Sequence, residues 1–449
     1  MAERGGRRGP RAGAGTTPLL LRLQIEALAD SGEGIARVEL EGRRRAVFVP
    51  MTAPGDLVTA EVRTEGNVLR GRVVELLEAS TERTPVPCAF AIACGGCDWM
   101  HLSLQAQRQH HLASTKEALS RALPAVAIPT PQFHPAQRTE QYRTRVRLGV
   151  RADARAVVVG FRAPRSRALV EVDTCMIASR VVDDARGQVS SWLAGSQGAG
   201  EVIIAQGVGG LAALVLEWQG ELASGVFSYA ERQVLGSQWA GVEIRLKGSR
   251  APAVIGEPAS VMVGFDGREL RAAPGGFMQA HAEVSRSLVE HVAGSVEQGT
   301  PTLELFCGAG NITVALAARA ARLEAVEGDA RAVEAARWNL ASRGIGARVM
   351  QADANAVAIA SWARTMVLDP PRVGAPEVSK RIAEASRVRR VVMVSCDQPT
   401  MVRDLVLMGG GASEWPWAIV SVDLFEMFPH TSHIETVVVL DRRKKGDRV

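Results

Sequence analysis

Five short stretches of the sequence carry side chains that could do chemistry. In "VVMVSCDQPT" (391–400) an apolar run ends on Cys396, with Ser395, Asp397, Gln398 and Pro399 around it. "MVLDPPRVG" (366–374) ends a similar run on Asp369, and "FPHTSHIETVVVL" (428–440) opens one at Glu435, preceded by His430 and His433. "LELFCGAGNITVALA" (303–317) sets Gly308 and Gly310 in a turn between an apolar strand and a helix. "CAFAIACGGCDWMH" (88–101) gathers three of the chain's six cysteines, Cys88, Cys94 and Cys97, within ten positions.

A lone cysteine is more often an inert core residue. Cys396 differs because polar residues surround it at a predicted strand end, where a nucleophile fits better. A methyl acceptor at nitrogen or oxygen needs no thiolate, since deprotonation suffices. C5 of a pyrimidine does need one. Thiolate addition at C6 makes an enolate, C5 then attacks a methyl group on sulfur, and a base must remove the C5 proton. Glu435 is a candidate for that base, with His430 and His433 in competition. The glycine loop lets the main chain approach a ligand, and the helix after it offers free N–H groups. It reads G-A-G-N rather than G-x-G-x-x-G. Glu327, in "AVEGD" on the next strand, can accept both hydroxyls of a ribose, and Asp353 in "QADAN" falls where adenine would lie. Loop, Glu327 and Asp353 in register predict the nucleoside site of an S-adenosylmethionine (SAM) enzyme; the loop alone would be an ordinary α/β turn. No secretory signal and no run of eighteen apolar residues is seen, so the expectation is a cytoplasmic chain without a membrane span. There the clustered cysteines read as metal-binding, cluster-binding or catalytic rather than as disulfides.

These residues need elements to position them. The chain has 449 residues, enough for two or three domains, and is 47% hydrophobic. Its 53 Lys and Arg against 48 Asp and Glu give +5, which permits a nucleic-acid partner without demanding one. Residues 1–17 are basic and Gly-rich and read as a solvated tail, with contact to RNA as the minority reading. From 19 to 78 short apolar runs punctuated by turn residues predict five strands, a small barrel of the OB type. Residues 104–122 look helical, and strands return between 141 and 274. In "YRTRVR", Arg143, Arg145 and Arg147 fall on one predicted strand face, either a phosphate contact or a solvated face. From about 276 strands alternate with helices, the rhythm of a largely parallel doubly wound sheet. Ligands bind at strand C-termini in such sheets, so Asp369 and Cys396 should face the cofactor.

The motifs "LFCGAGNITVALA", "LDPPR", "VSCDQPT" and "MFPHTSHIET" closely resemble those of the SAM-dependent RNA uracil-C5 methyltransferases, and the barrel resembles a TRAM domain. The resemblance spans about residues 18–441. It implies an α/β fold: a Rossmann-like class I SAM methyltransferase domain at 276–449, a TRAM or OB-like barrel at 18–80, and a central mixed α+β iron–sulfur and RNA-binding domain at 81–275. It makes Cys396 the nucleophile and Glu435 the base. Gln279, Phe306, Asn311, Glu327, Asp353 and Asp369 fall on cofactor-pocket positions, Asp369 also touching the target base. Family members with the C-x5-C-G-G-C spacing and a distant fourth cysteine hold a [4Fe–4S] cluster, here on Cys88, Cys94, Cys97 and Cys175; zinc is the alternative. A monomer acting on RNA is implied, 23S ribosomal RNA ahead of tRNA. Two departures stand out: Met278 and His281 flank Gln279 where the family more often has an aromatic and Asn, and "SCDQPT" replaces the commoner "SCNPAT". The rivals are an RNA cytosine-C5 methyltransferase, disfavoured because "DPPRVG" holds no cysteine; an amino-group methyltransferase, disfavoured because Arg372 stands where that motif has an aromatic; and an RNA-binding adaptor with a degenerate site. Cys307 reads as packing.

Overall fold

Alternation of apolar and polar residues builds the first strands of this computed structural model, which describes residues 18–40, 42–411 and 415–443. The basic tail at 1–17 and the C-terminal residues 444–449 lie outside the described residues. The described chain sorts into two compact units: one runs up to Val86 and includes Asp98–Ser103, the other comprises Pro87–Cys97 and the chain from Leu104 onward.

In the first unit, strands β1 (Leu19–Gln24), β2 (Ala27–Leu28), β3 (Gly34–Leu40), β4 (Arg43–Val49), β5 (Leu57–Glu65) and β6 (Val68–Glu78) form one sheet in the order β1-β5-β6-β4-β3-β2. Five strands were expected; the sixth is β2, two residues long and too short to leave a pattern. Leu23, Ile25, Val47, Val49, Val58, Ala60 and Val62 fill its core. Asp56 is fully buried, yet its carboxyl titrates below its ordinary value. Burial raises it, but Arg83 and the N–H groups of Ala53 and Ser80 more than offset this.

The second unit contains two large sheets. Helix α1 (Leu104–Ala122) and strand β7 (Gln132–His134) come first. Then β8 (Arg145–Ala152), β9 (Val157–Arg162), β10 (Leu169–Val170), β11 (Gln197–Gln206), β12 (Ala212–Glu221), β13 (Trp239–Leu246) and β14 (Ala253–Gly256) make a central sheet in the order β10-β9-β8-β11-β12-β13-β14. Only β12 and β13 pair in parallel. Helices α2 (Arg180–Trp192) and α3 (Gly225–Leu235) cover one face through Val182, Val189, Trp192 and Val226. A hairpin of β15 (Ser260–Val263) and β16 (Glu269–Ala272) leads on.

The last sheet takes the order β19-β18-β17-β20-β21-β23-β22-β7. It alternates α4 (Ala282–Gly294), β17 (Thr302–Leu305), α5 (Asn311–Leu316), β18 (Leu323–Glu327), α6 (Ala330–Ala341), β19 (Arg348–Gln351), β20 (Thr365–Leu368), α7 (Pro376–Glu384), β21 (Arg390–Ser395), α8 (Gln398–Leu407), β22 (Trp417–Phe425) and β23 (Glu435–Arg442). Strands β17 to β21 are mutually parallel, and β17, β20 and β21 are buried along nearly their whole length, as cover on both faces requires. Leu303, Leu305, Met366, Leu368 and Met393 meet α1, α7 and α8 on one face; Val367, Val392 and Val394 meet α4 and α5 on the other. Two strands of this sheet have no counterpart among the runs read from the sequence. β22 runs antiparallel to β23 and so breaks the βαβ rhythm, and β7 adds only three residues at the edge, from far upstream.

Candidate active site

The glycine loop is shaped by what surrounds it. Gly310 has φ +85°, and a Cβ there would press on Ala336 at 3.3 Å, so the helix α6 can approach only a glycine. Gly308 also has positive φ, but a Cβ there would meet nothing within 4 Å: the loop is open on that side. Phe306 holds φ 64°, a conformation that costs a bulky residue roughly 1–3 kcal/mol. Such strain persists at ligand clamps. Gly308 N–H donates to Glu327 Oε2 at 2.9 Å and Asp329 N–H to Oε1 at 2.9 Å, which fixes the Glu327 carboxylate at the end of β18. Asp353 lies just past β19 and accepts from the main chain of Asn355 at 2.9 Å. Asn311 Nδ2 donates to Ser285 Oγ at 3.1 Å, tying α5 to α4.

Gln279 is buried, and its Oε1 has no hydrogen-bond partner. His281 caps α4 by accepting from Val284 N–H, its Nε2 meets Arg138 O at 2.9 Å, and its ring stacks on Tyr142. The departure in sequence therefore leaves the helix start intact. Glu304 was missed. It sits inside the apolar strand β17, where a lone charged residue was the signal, and it is buried with Oε2 unpartnered. Burial, followed by the Asp369 and Glu327 carboxylates, pushes its pKa up to about 8, against a contact with Thr313.

The second half of the site lies at the ends of β20, β21 and β23. In "SCDQPT" Asp397 caps α8 by accepting from Thr400 N–H at 3.0 Å, and Pro399 fits the helix's first turn. This sharp strand-to-helix turn holds Cys396 at the end of β21. Thr400 Oγ1 donates to Arg372 O at 3.1 Å and Arg403 to Val373 O at 2.8 Å, fastening the Asp-Pro-Pro-Arg loop alongside. The β21–β23 register pairs Ser395 with Thr436, so one step further Cys396 stands across from Glu435. Burial pushes the Cys396 thiol up to about 12. The carboxylates of Glu435, Asp369 and Asp397 act in the same direction, and Arg372 opposes them. Burial also raises Glu435 and Asp369, and Asp369 pushes Glu435 further. Thus Cys396, Glu435, Asp369 and Arg372 converge. His430 responds to Glu140 and Glu426, and His433 lies against Phe428.

The cysteine segment folds as successive turns, with Cys94 N–H bonded to Phe90 O at 2.7 Å. A Cβ on Gly95 would strike Arg162 O at 2.9 Å, so this glycine is what lets the turn lie against the loop after β9. Burial raises the Cys94 thiol, and Cys175 and Cys88 raise it further; Cys97 and Cys175 both act on Tyr142. None of the four cysteines is in a disulfide. The three arginines of "YRTRVR" do not share a free face. Arg145 donates to Gly275 O, Arg143 precedes the strand, and only Arg147 is exposed.

Residues 20–74 match the family model described as the TRAM domain, and residues 263–360 match that described as tRNA (Uracil-5-)-methyltransferase. The chain is 32% identical, over 94% of its length and 91% of the relative's, to a Halomonas elongata protein named 23S rRNA (uracil(1939)-C(5))-methyltransferase RlmD. A Pseudomonas putida protein of the same name is 32% identical over 97% of this chain and 96% of its own. Among solved structures, the Pyrococcus abyssi tRNA (uracil-54, C5)-methyltransferase in complex with S-adenosyl-L-homocysteine aligns at a TM-score of 0.73 and 22% identity, covering 93% of this chain and 99% of that one. The likeness is one of fold: a class I SAM methyltransferase fold together with a TRAM domain. No helix among the described residues is long and apolar enough to cross a membrane.

Proposed function

The chain belongs to the SAM-dependent RNA uracil-C5 methyltransferases, and we propose that it methylates C5 of a uridine in 23S ribosomal RNA through a covalent adduct on Cys396. The observation that carries the mechanism is the cross-strand register that sets Cys396 opposite Glu435, with Asp369 and Arg372 in electrostatic reach of both. Cys396 gives up its thiol proton to solvent and Sγ adds to C6 of the uracil, and the displaced electron pair makes C5 an enolate carbon. Bound SAM supplies an electrophilic methyl group. Once C5 carries that methyl group, Glu435 takes the C5 proton, the C6–S bond breaks and the thiolate leaves. Burial and the neighbouring carboxylates favour the protonated thiol in the free protein. Arg372 is the cation that favours the thiolate. Glu327 and Asp353 would hold the ribose and adenine of SAM, with Gln279, Phe306 and Asn311 completing the pocket.

Cys88, Cys94, Cys97 and Cys175 would hold a [4Fe–4S] cluster that staples the central domain. The donor set supports iron–sulfur over zinc. Zinc sites usually pair two C-x2-C knuckles, and this chain has one, Cys94/Cys97, whereas a cluster takes each of four thiolates on a separate iron. Arg143 acts on both Cys94 and Cys175 and would offset thiolate charge.

The test of mechanism is RNA containing 5-fluorouridine. With SAM it should become covalently trapped on the wild-type protein and not on Cys396→Ala; the absence of any trapped complex on the wild type overturns the adduct. Mapping 5-methyluridine across ribosomal and transfer RNA in a strain lacking the protein tests the substrate.

A further inference from the structure

Far from Cys396 in sequence, and using none of the residues assigned to methyl transfer, three metal-ligating side chains meet. We propose that His134, His291 and Asp423 form a binding site for one divalent transition metal of the zinc class. The three come from β7, α4 and β22. One donor atom from each lies within 4.8 Å of the other two, the only such group among the described residues. His134 Nε2 is 2.8 Å from Asp423 Oδ1, and His291 Nε2 is 3.1 Å from Asp423 Oδ2.

A pair of ordinary hydrogen bonds accounts for only half of this. Asp423 is 4% exposed. Its Oδ2 and the facing His291 Nε2 are both buried and neither makes an aligned hydrogen bond, despite their short separation. The 3.1 Å contact between them is an ion pair without hydrogen-bond alignment, a weak arrangement for two buried polar atoms. A cation between the donors would satisfy both. Two imidazoles and one carboxylate are a familiar donor set for zinc and its neighbours, which leaves a fourth position for water. The two imidazoles are half-buried, with 37% and 26% of their side chains exposed.

The rings are also held in place before any metal arrives. Phe425 stacks on His134 with centroids 4.3 Å apart and planes 5° apart, and meets His291 edge-on at 5.4 Å. The site has a structural task to perform. β7 joins the sheet through three residues only, at its outermost edge. A metal there would clamp it to β22 and α4, joining chain segments more than a hundred residues apart, where loop closure gains most.

The full-length protein, with its iron content measured, is titrated with Co2+. The expected result is one equivalent bound, with weak visible bands and no sulfur-to-cobalt charge transfer. His134→Gln and His291→Gln should each weaken binding at least about tenfold, and Zn2+ should raise the melting temperature of the wild type but not of His134→Gln. His134 lies on an edge strand and is partly exposed, so its variant tests the site without emptying the core. No bound Co2+, a charge-transfer band placing it on the cysteines, or undiminished binding in both variants would each overturn the site.

Discussion

The central sheet and the crevice of the doubly wound sheet treat buried charge in opposite ways. In the central sheet, buried Glu243 meets Arg245 at 2.6 Å through one oxygen and Arg331 at 3.0 Å through the other. Glu201 likewise takes Arg147 at 2.7 Å and Arg162 at 3.1 Å; burial raises its carboxyl, but the two guanidinium groups hold it below the ordinary value. In the crevice, buried Glu435 and Glu304 each keep an oxygen without a partner, Gln279 does the same, and Asp369 and Glu435 repel each other. In the first region the carboxylates are paired with guanidinium groups. In the second they keep oxygens open to a further partner, which is how a candidate site differs from a scaffold.

The largest expected effect comes from removing the group that the unpaired carboxylates surround. Cys396→Ala should lower methyl transfer by about 10^4-fold or more while SAM binding, measured by calorimetry, stays within a factor of a few. Full activity in that variant would mean the crevice polarity serves something other than thiolate addition. Glu435→Gln should cut turnover by roughly 10^2- to 10^4-fold. Here the adduct still forms but cannot resolve, so protein bound to natural RNA should accumulate on a denaturing gel. If His430→Ala accumulated it instead, the cross-strand pairing would be the wrong guide to the base.

How much of this contrast could be read from the chain depends on the kind of signal. The glycine loop, Asp369 and Cys396 were legible because strand ends in a parallel sheet point into one crevice, and the apolar runs marking those ends are strong. Glu435 could not be separated from His430 and His433 on sequence alone. The choice rests on a strand register set by antiparallel pairing, which has no local signature. β22 was hidden because it departs from strand–helix alternation, and with it went Asp423. β7 was too short to carry a period. The pairing in the central sheet was illegible for a further reason: Arg145 and Arg147 look alike in "YRTRVR", and only the fold commits one to a carbonyl and the other to Glu201.

A change of pH separates the two regions by sign. Glu435 binds its proton more tightly folded than unfolded, because burial and Asp369 raise it to about 8. Its contribution to stability is therefore present below the ordinary carboxylate range, near pH 4, and is lost as pH rises through about 8. Glu435→Gln removes that loss. Its melting temperature should match wild type at pH 5 and exceed it at pH 9 by about 2–4 °C. Glu201 has the reverse linkage, its stabilising effect being lost as pH falls. A melting difference for Glu435→Gln that does not change between pH 5 and pH 9 would make its carboxyl an ordinary one.

The smallest expected effect lies at Arg147, the exposed member of the paired region. Its partner Glu201 keeps Arg162 when Arg147 is removed, and exposed ion pairs contribute little, so Arg147→Ala should change stability by no more than about 0.5 kcal/mol. RNA affinity is a different matter. A guanidinium half open to solvent can trade a carboxylate for a phosphate without breaking the sheet, whereas Arg145 cannot leave Gly275 O. Filter binding across a salt series should therefore show weaker binding for Arg147→Ala and a salt slope smaller by about 1. A marked loss of stability with an unchanged slope would assign Arg147 wholly to the scaffold.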